Sequence, residues 1–221
     1  MPIQTEYTVQ PDLTVADLER LRNSEAVAID TEMTGLNAKR DLLCLVQVCD
    51  HDGYVNFLRT PEWSAADNLK SLLQDQNVPK IFHYALMDCS FLLHHTGVEP
   101  VNLYCTKIAS KIARTYSPDH GLAKLVNELL DTKLDKSQQT SFWLAPELSQ
   151  AQLKYAANDV MWLNELRAEL ETIMDHKGSL SSGISYRELN ERCQSFLPTL
   201  VHLFLNGWDV GQGDRNAIFA H

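Results

Sequence analysis

The sequence predicts one α/β domain with a mixed central sheet flanked by helices, followed by a helical appendage. Three apolar runs rich in β-branched residues come first, at residues 26–30, 42–50 and 53–57, and the polar cluster at 50–53 is a hairpin signal. From residue 80 onward, strand-like segments alternate with helical ones. Strands that first meander and then alternate with helices favour a mixed sheet over a purely parallel one.

The remaining elements follow from the spacing of apolar residues. Two further short strands are predicted at 80–85 and 101–105, each running directly into a helix. Gly97 is expected to end the first of these helices, which covers 86–95. The predicted helices lie at 12–23, 63–75, 86–95, from Thr106, and at 120–130, 149–174 and 186–206.

The last part of the chain is expected to be an extension of the main domain. Gly178 and Gly183 enclose a serine-containing connection, which divides the sequence into a domain at 1–183 and a helical extension at 184–221. The extension contains the apolar run FLPTLVHLFLNGW, which needs a partner surface. That surface is either the extension's own domain or another subunit.

Composition limits the classes of function. The 221 residues are 44% hydrophobic, without a long apolar stretch or a leader-like N-terminus, so a cytoplasmic protein with no membrane partner is expected. The five cysteines form no C-x-x-C pair, which argues against a disulfide framework or a structural zinc site. A net charge of −10 disfavours a protein that grips long nucleic acids through many phosphates.

Two carboxylates are predicted to converge at the end of the first long strand. Asp30 and Glu32 are two residues apart, and side chains at positions i and i+2 of a strand point to the same face. A single D-x-E is weak evidence, because two acids at the start of a loop are commonly just solvated. Oxygen ligands suit Mg²⁺ or Mn²⁺, and no histidine or cysteine cluster suggests zinc.

Two other segments supply further acids. Asp88 falls in the first turn of a predicted helix, where the helix dipole alone would favour a negative charge. Tyr155 and Asp159 are four residues apart and so lie on one face of another helix. Because that helix is otherwise lined by Leu153, Ala156, Val160 and Leu163, Asp159 must face either solvent or a cation.

The segments AIDTEMTGL, HYALMDCSFL and YAANDV, in this order, resemble the three exonuclease motifs of the DEDD superfamily. The tyrosine four residues before the last aspartate places the resemblance in the Tyr-type subclass, and it covers residues 25 to 170. The segment LDKSQQTSFW (134–143) resembles the stretch ahead of the third motif in ribonuclease D-like proteins. YCTKIASKIARTY, Lys136, Gln139 and the closing IFAH are similar to the nanoRNase C group of small ribonuclease D relatives. One departure is Phe142, which stands between Ser141 and Trp143 where the family usually has an acid.

The resemblance implies a ribonuclease H-like sheet and release of mononucleotides from a 3′ end. It implies that four carboxylates, Asp30, Glu32, Asp88 and Asp159, hold two divalent ions, with Asp30 as the bridging ligand. Tyr155 would orient the attacking water or help to deprotonate it, although a phenol with a reference pKa of about 10 is a poor base.

Other residues are candidates for substrate contact. Leu36 would wedge between the last bases of the substrate or cap its own loop, and Thr34 and Gly35 belong to the same motif. Trp143 would stack on the substrate or pack behind the third motif. The candidate substrate contacts are Thr34, Gly35, Leu36, His83, Gln139, Ser141 and Trp143.

Three functions remain open from the sequence. The first is degradation of short single-stranded RNA, down to dinucleotides. The second is ribonuclease D-like trimming of longer RNA or single-stranded DNA ends, and the third is an inactive scaffold of the same fold. Four converging carboxylates argue against a scaffold, because a folding core does not require them. The nanoRNase C resemblance also implies a homo-oligomer, a ring-like octamer in which closed symmetry would restrict access to each site.

Overall fold

The core of the protein is a six-stranded mixed sheet with helices on both faces. The computed structural model describes residues 6–135 and 141–210. Across the sheet the strands run in the order β1-β4-β3-β2-β5-β6. Strand β3 is antiparallel to both β2 and β4, whereas β5 is parallel to both β2 and β6. The strands are β1 (Val9–Gln10), β2 (Val27–Met33), β3 (Leu43–Cys49), β4 (Val55–Leu58), β5 (Lys80–Phe82) and β6 (Leu103–Cys105).

Helices follow the strands in the expected order. The helices are α1 (Val15–Arg22), α2 (Asp67–Leu73), α3 (Ala85–Thr96), α4 (Thr106–Ala113), α5 (Leu122–Leu130), α6 (Gln150–Met161), α7 (Leu163–Lys177), α8 (Tyr186–Gln194) and α9 (Leu197–Val210). A one-turn 3₁₀ helix, Trp63–Ala65, precedes α2. The α/β class and the mixed sheet are therefore confirmed.

The structure departs from the predicted elements in several respects. The helix predicted at 149–174 is interrupted at Trp162, between α6 and α7, and the one predicted at 186–206 is interrupted at Ser195, between α8 and α9. The short edge strand β1, which pairs in parallel with β4, was not predicted. The predicted hairpin is present, with Gly53 at a φ of +86° and the Tyr54 amide donating to the Asp50 carboxylate.

Each face of the sheet carries its own apolar core. On one face, α1, α2, α3 and α9 cover β-strand residues such as Val46 and Val48. On the other, α4 to α7 cover residues such as Leu45 and Phe57. Side chains alternate between the two faces, so the fully buried strand β3 contributes to both cores. The candidate site described below lies where elements from both faces meet.

The beginning of the C-terminal extension packs on its own domain. Leu197, Val201 and Leu205 of α9 are buried in the same core as α3. Phe196 remains 55% exposed and Leu200 37% exposed. The extension is thus held by one apolar face, and these two side chains are available to a further partner.

Helix α8 covers the edge of the sheet that is formed by β6. The Gln194 side chain accepts a hydrogen bond from the Cys105 amide at 2.8 Å and donates one to the Cys105 carbonyl at 3.1 Å. Gln194 is itself buried. A side-chain amide therefore takes the place that a seventh strand would occupy beside β6. Among the described residues, no helix is both long and apolar enough to cross a membrane.

Candidate active site

Three carboxylates come together at the end of the sheet. Oxygen atoms of Asp30 and Glu32, from β2, and of Asp159, from α6, all lie within 4.8 Å of one another. Asp30 and Glu32 share a face of β2 through strand alternation, as predicted. The three side chains are partly buried, so the cluster is both shielded and accessible.

The position of Asp159 follows from how α6 begins and packs. Ser149 caps the helix in a reciprocal capping box with Gln152. Leu153, Ala156 and Val160 are buried in the core on that face of the sheet. The side of α6 adjacent to this apolar stripe directs Asp159 toward the end of β2.

Asp88 approaches from the opposite face of the sheet. It lies in the first turn of α3, is almost fully buried, and accepts a hydrogen bond from Thr31 Oγ1 at 2.7 Å. Thr31 stands between the two motif acids but points away from them, because neighbouring side chains on a strand alternate. Asp88 is therefore beside the cluster, close enough to raise the pKa of Asp30 and Glu32, rather than within the group of three.

Burial raises the pKa of every acid in the site, and repulsion between carboxylates raises it further at Asp30, Glu32 and Asp88. The pKa of Asp30 is well above its usual range because of burial and the neighbouring carboxylates. Burial, followed by Asp159 and Asp88, raises the pKa of Glu32 to about 9. Burial also raises the pKa of Asp88 to about 7 and that of Asp159 to about 6, against the opposing hydrogen bonds from Thr31 and Tyr155. These carboxylates stay fully ionised near neutral pH only if positive charge is placed among them.

The donor set fits a divalent cation. All the donors are carboxylate oxygens, which Mg²⁺ and Mn²⁺ prefer, and their separation allows them to bind one ion jointly. Lys107, one of the lysines that line the cleft, has its Nζ 4.1 Å from the centre of the Tyr84 ring. The cluster thus has the charge and the chemistry of a divalent metal site.

Tyr155 contacts Asp159, and Trp143 packs beside Tyr155. The Tyr155 hydroxyl is hydrogen-bonded to the Asp159 carboxylate. Burial and then the negative charges of Asp159 and Glu32 raise the Tyr155 pKa, so the phenol keeps its proton. Trp143 is buried, with its ring centroid 6.2 Å from that of Tyr155. The contact that the structure gives Trp143 is therefore one that supports Tyr155.

A cleft of about 470 Å³ opens over the cluster, and Asp30, Tyr155 and Asp159 line it. His83 lines it too, with Nδ1 2.9 Å from Thr106 Oγ1. Burial and the charge of Lys107 lower the His83 pKa to about 4, so this ring is neutral at neutral pH. His83 is also hydrogen-bonded to the backbone of His120, so its ring is held in place and carries no charge in the cleft.

The loop after β2 presents Leu36 to solvent. Leu36 is 76% exposed. Thr34 closes the loop, its hydroxyl accepting a hydrogen bond from the Leu42 amide at 2.8 Å. The Asp41 carboxylate fills the loop, accepting from the Asn37 and Leu36 amides. A side chain at Gly35 would collide with that carboxylate, which explains the glycine.

The other predicted contacts have varied surroundings. Ser141 is partly buried at the start of the segment leading to α6, and Gln139 falls outside the described residues. Arg114, just after α4, is fully buried and paired with Glu128, so its charge is not available to the phosphates of a substrate.

Sequence reasoning missed several residues that shape the site. Tyr84 lines the cleft, Thr31 donates to Asp88, and Asp41 holds the loop that carries Leu36. Tyr84 has a positive φ of 74° without being a glycine, a conformation that no sequence pattern indicates. Thr31 was detectable in principle, because alternation places it toward the face that carries α3.

A family model and the most similar curated proteins both indicate a 3′-5′ exonuclease. A family model described as a 3′-5′ exonuclease matches residues 8–175. The ribonuclease D of Desulfotalea psychrophila is 33% identical over 161 residues, which cover 71% of this chain and 43% of that protein. The chain therefore spans less than half the length of the curated relatives it first matches.

Two solved structures cover nearly the whole chain. Brucella melitensis NrnC with bound Mg²⁺ is 40% identical, with a TM-score of 0.84, and the match covers 97% of this chain and 98% of that one. Brucella melitensis NrnC bound to pGG is 41% identical, also with a TM-score of 0.84, covering 98% of this chain and all of that one.

The fold and the clustered carboxylates define the class, and the protein belongs to the 3′-5′ exonuclease family. Within that family it is a DEDD, ribonuclease D-like nuclease, close to NrnC.

Proposed function

We propose that the protein is a two-metal-ion 3′→5′ exoribonuclease that hydrolyses short RNA, down to dinucleotides, and releases nucleoside 5′-monophosphates. The observation that carries the proposal is the group of three carboxylates within 4.8 Å, at the base of a cleft on a 3′-5′ exonuclease domain. Mg²⁺ or Mn²⁺, two per site, would be the cofactors.

Each residue of the cluster has a defined part in this reaction. Asp30, Glu32 and Asp159 would hold the cations, with Asp88 completing the set from the other face of the sheet. When bound, two such ions stabilise the attacking and leaving oxygens of an in-line displacement. Tyr155, a protonated phenol fixed to Asp159, is suited to orient the attacking water by a hydrogen bond rather than to act as the base.

Three observations support a restriction to short substrates: the charges that line the cleft, the exposed Leu36 and a related structure with a bound ligand. In the described part of the cleft, Lys107 and Lys124 are accompanied by Asp119 and Asp135, so few phosphates of a long strand could be neutralised. The exposed Leu36 offers an apolar surface to a terminal base. A close structural relative was solved with pGG bound.

A second candidate is trimming of longer RNA or single-stranded DNA 3′ ends. It is favoured by the matches to ribonuclease D, of which this chain covers 43% in the Desulfotalea psychrophila protein. The two candidates share the site and its chemistry. They differ in the length of strand that the cleft accepts.

A comparison of substrate lengths tests the proposal. Hydrolysis of a 5′-phosphorylated RNA dinucleotide, a longer RNA strand and a DNA strand would be measured with Mg²⁺, with Mn²⁺ and with EDTA. We expect the highest kcat/KM for the dinucleotide, mononucleotide products and no turnover in EDTA. A higher kcat/KM for the longer RNA would favour trimming, and full activity in EDTA would contradict the metal-dependent reaction altogether.

A further inference from the structure

A glutamine in the middle of the sheet has no hydrogen-bond partner. Gln47, in β3, is fully buried, and neither the nitrogen nor the oxygen of its side-chain amide is bonded to another described residue. Buried side-chain amides are almost always paired, since an unpaired one gives up its bonds to water without replacement. An apolar residue would suit this position better if packing were its only task.

The neighbours of Gln47 show where a partner could come from. Gln47 lies directly opposite Asp30 on β2 and opposite Phe57 on β4. Side chains opposite one another on antiparallel strands share a face and have Cβ atoms about 4.5–5.5 Å apart. Along β3 itself, Leu45 and Cys49 share that face by alternation. Among these nearest side chains, Asp30 is the one with a carboxyl group.

Helix α6 covers this part of the sheet. Leu153, Ala156 and Ala157 of α6 are buried in the core on the same face, and α6 packs against both β2 and β3. The amide of Gln47 is therefore covered by a largely apolar layer. Of the side chains that the strand register places opposite it, Asp30 is the one that offers a carboxylate acceptor.

We propose that Gln47 is a positioning residue for Asp30, donating an amide N–H to its carboxylate when that carboxylate holds divalent cations. This inference rests on the proposed function. A carboxylate has about four acceptor positions on its two oxygens, so cations and an amide can be accommodated together. Groups that hydrogen-bond to metal ligands fix the orientation of those ligands, and their loss typically weakens metal affinity by about 10- to 100-fold.

Metal binding without substrate gives a direct test. Gln47→Leu removes the donor while keeping a side chain of similar size. The Kd for Mg²⁺ would be measured by calorimetry on the wild type and the variant, and thermal melting would be recorded in EDTA. We expect the variant's Kd to rise about 10- to 100-fold, while its melting temperature in EDTA stays the same or rises because an unpaired buried amide has been removed.

Two controls separate positioning from packing. Cys49→Ala, on the same face of the same strand, changes the packing further from Asp30 and should leave the Mg²⁺ affinity unchanged. Gln47→Met supplies a flexible apolar side chain if the leucine variant does not fold, with the same expected loss of affinity. If the wild type binds Mg²⁺ and the folded Gln47 variant binds it equally well, the inference is overturned while the proposed function stands. A wild type that binds no divalent cation would overturn both.

Discussion

At the scale of single residues, the site brings like charges together in a partly buried place. Asp30, Glu32 and Asp159 carry oxygens within 4.8 Å, and Asp88 adds a fourth acid nearby. Repulsion and burial favour protonation of these groups when no cation is present. The same repulsion gives a bound cation a large favourable interaction, so metal binding and the ionisation of the site are coupled.

Neutralising one cluster acid should separate catalysis from stability. We expect Asp30→Asn and Asp159→Asn each to lower kcat/KM by more than about 100-fold, since loss of a hydrogen bond to a ligand already costs about 10- to 100-fold. The melting temperature in EDTA should stay the same or rise, because each change relieves repulsion. Asp119→Asn, which removes an acid from the same cleft but not from the cluster, is the control. Near wild-type turnover in either cluster variant would contradict the ligand assignment.

The cluster also predicts how stability depends on pH. The folded-state pKa is about 6 for Asp159 and about 9 for Glu32, against reference values of about 4 for free carboxyl groups. The folded state therefore binds more protons than the unfolded state over this range, and the stability of the metal-free protein falls as pH rises from about 5 to about 9. Thermal melts in EDTA should show this decline, and Mg²⁺ should flatten it. A melting temperature in EDTA that rises across this range would be evidence against the clustered, repelling acids.

The Tyr155 hydroxyl should affect the chemical step more than binding. Tyr155→Phe removes the hydroxyl that is bonded to Asp159, while the ring that packs against Trp143 remains. We expect kcat to fall by about 100- to 10,000-fold, with a small change in KM, because the hydroxyl acts on water in the transition state. Tyr84→Phe, which removes another hydroxyl lining the cleft, should keep kcat. An unchanged kcat in Tyr155→Phe would leave Tyr155 only a packing role.

The sequence allowed part of this site to be derived from local rules. Strand alternation placed Asp30 and Glu32 on one face, and helical spacing placed Tyr155 beside Asp159. The hydrogen bond from Thr31 to Asp88 spans 57 positions and depends on how α3 packs on the sheet, which no local pattern encodes. The relation of Gln47 to Asp30 likewise required the register of two antiparallel strands.

At the scale of elements, the loop between β2 and β3 is held by one side chain. The Arg40 side chain and the loop amides lower the pKa of Asp41 to about 2, so its carboxylate is ionised at neutral pH. Asp41 therefore determines the position of Leu36 although it does not line the cleft. If Leu36 contacts a terminal base, the loop should influence substrate affinity.

Weakening this loop should raise KM while sparing the chemical step. For Asp41→Ala we expect the KM for a dinucleotide to rise roughly tenfold, the effect of losing a charge-assisted hydrogen bond, with kcat nearly unchanged. Asp52→Asn, at an exposed turn between β3 and β4, is the control. An unaltered KM together with normal folding would show that the loop's shape does not contribute to substrate binding.

Element boundaries were less predictable than element types. Residues 149–174 keep a helical apolar spacing throughout and contain no glycine or proline, so the break at Trp162 has no sequence signal. Strand β1 has two residues and depends on pairing with β4, a contact between distant parts of the chain. Tertiary packing decided both features.

At the scale of the whole molecule, the C-terminal extension is both part of the core and a candidate interface. Because α9 buries Leu197, Val201 and Leu205 against its own domain, deleting the extension would expose core residues. Phe196 and Leu200 are the exposed apolar side chains near its start. We propose that they contribute to contacts between copies of this chain, in keeping with the homo-oligomer, an octamer, that the sequence resemblance implies.

Charge at these two positions should reduce the size of the assembly. Phe196→Glu combined with Leu200→Glu places acids on a surface that would be buried between subunits, an unfavourable change. Light scattering should then report a smaller species than the wild type, with the same circular dichroism spectrum. Val15→Glu, at an exposed apolar position of α1, is the control. A wild type that is monomeric at micromolar concentration would contradict the proposal.

The hydrogen bonds between Gln194 and Cys105 should also affect the tendency of the protein to aggregate. Strand β6 would otherwise expose unpaired backbone groups at the end of the sheet, and such edges can recruit strands from other molecules and start aggregation. The glutamine amide satisfies the amide and the carbonyl of Cys105 and belongs to a helix that cannot extend the sheet. Gln194 thus leaves fewer backbone groups of β6 for a strand of another molecule to pair with, and we expect its loss to lower solubility before it affects catalysis.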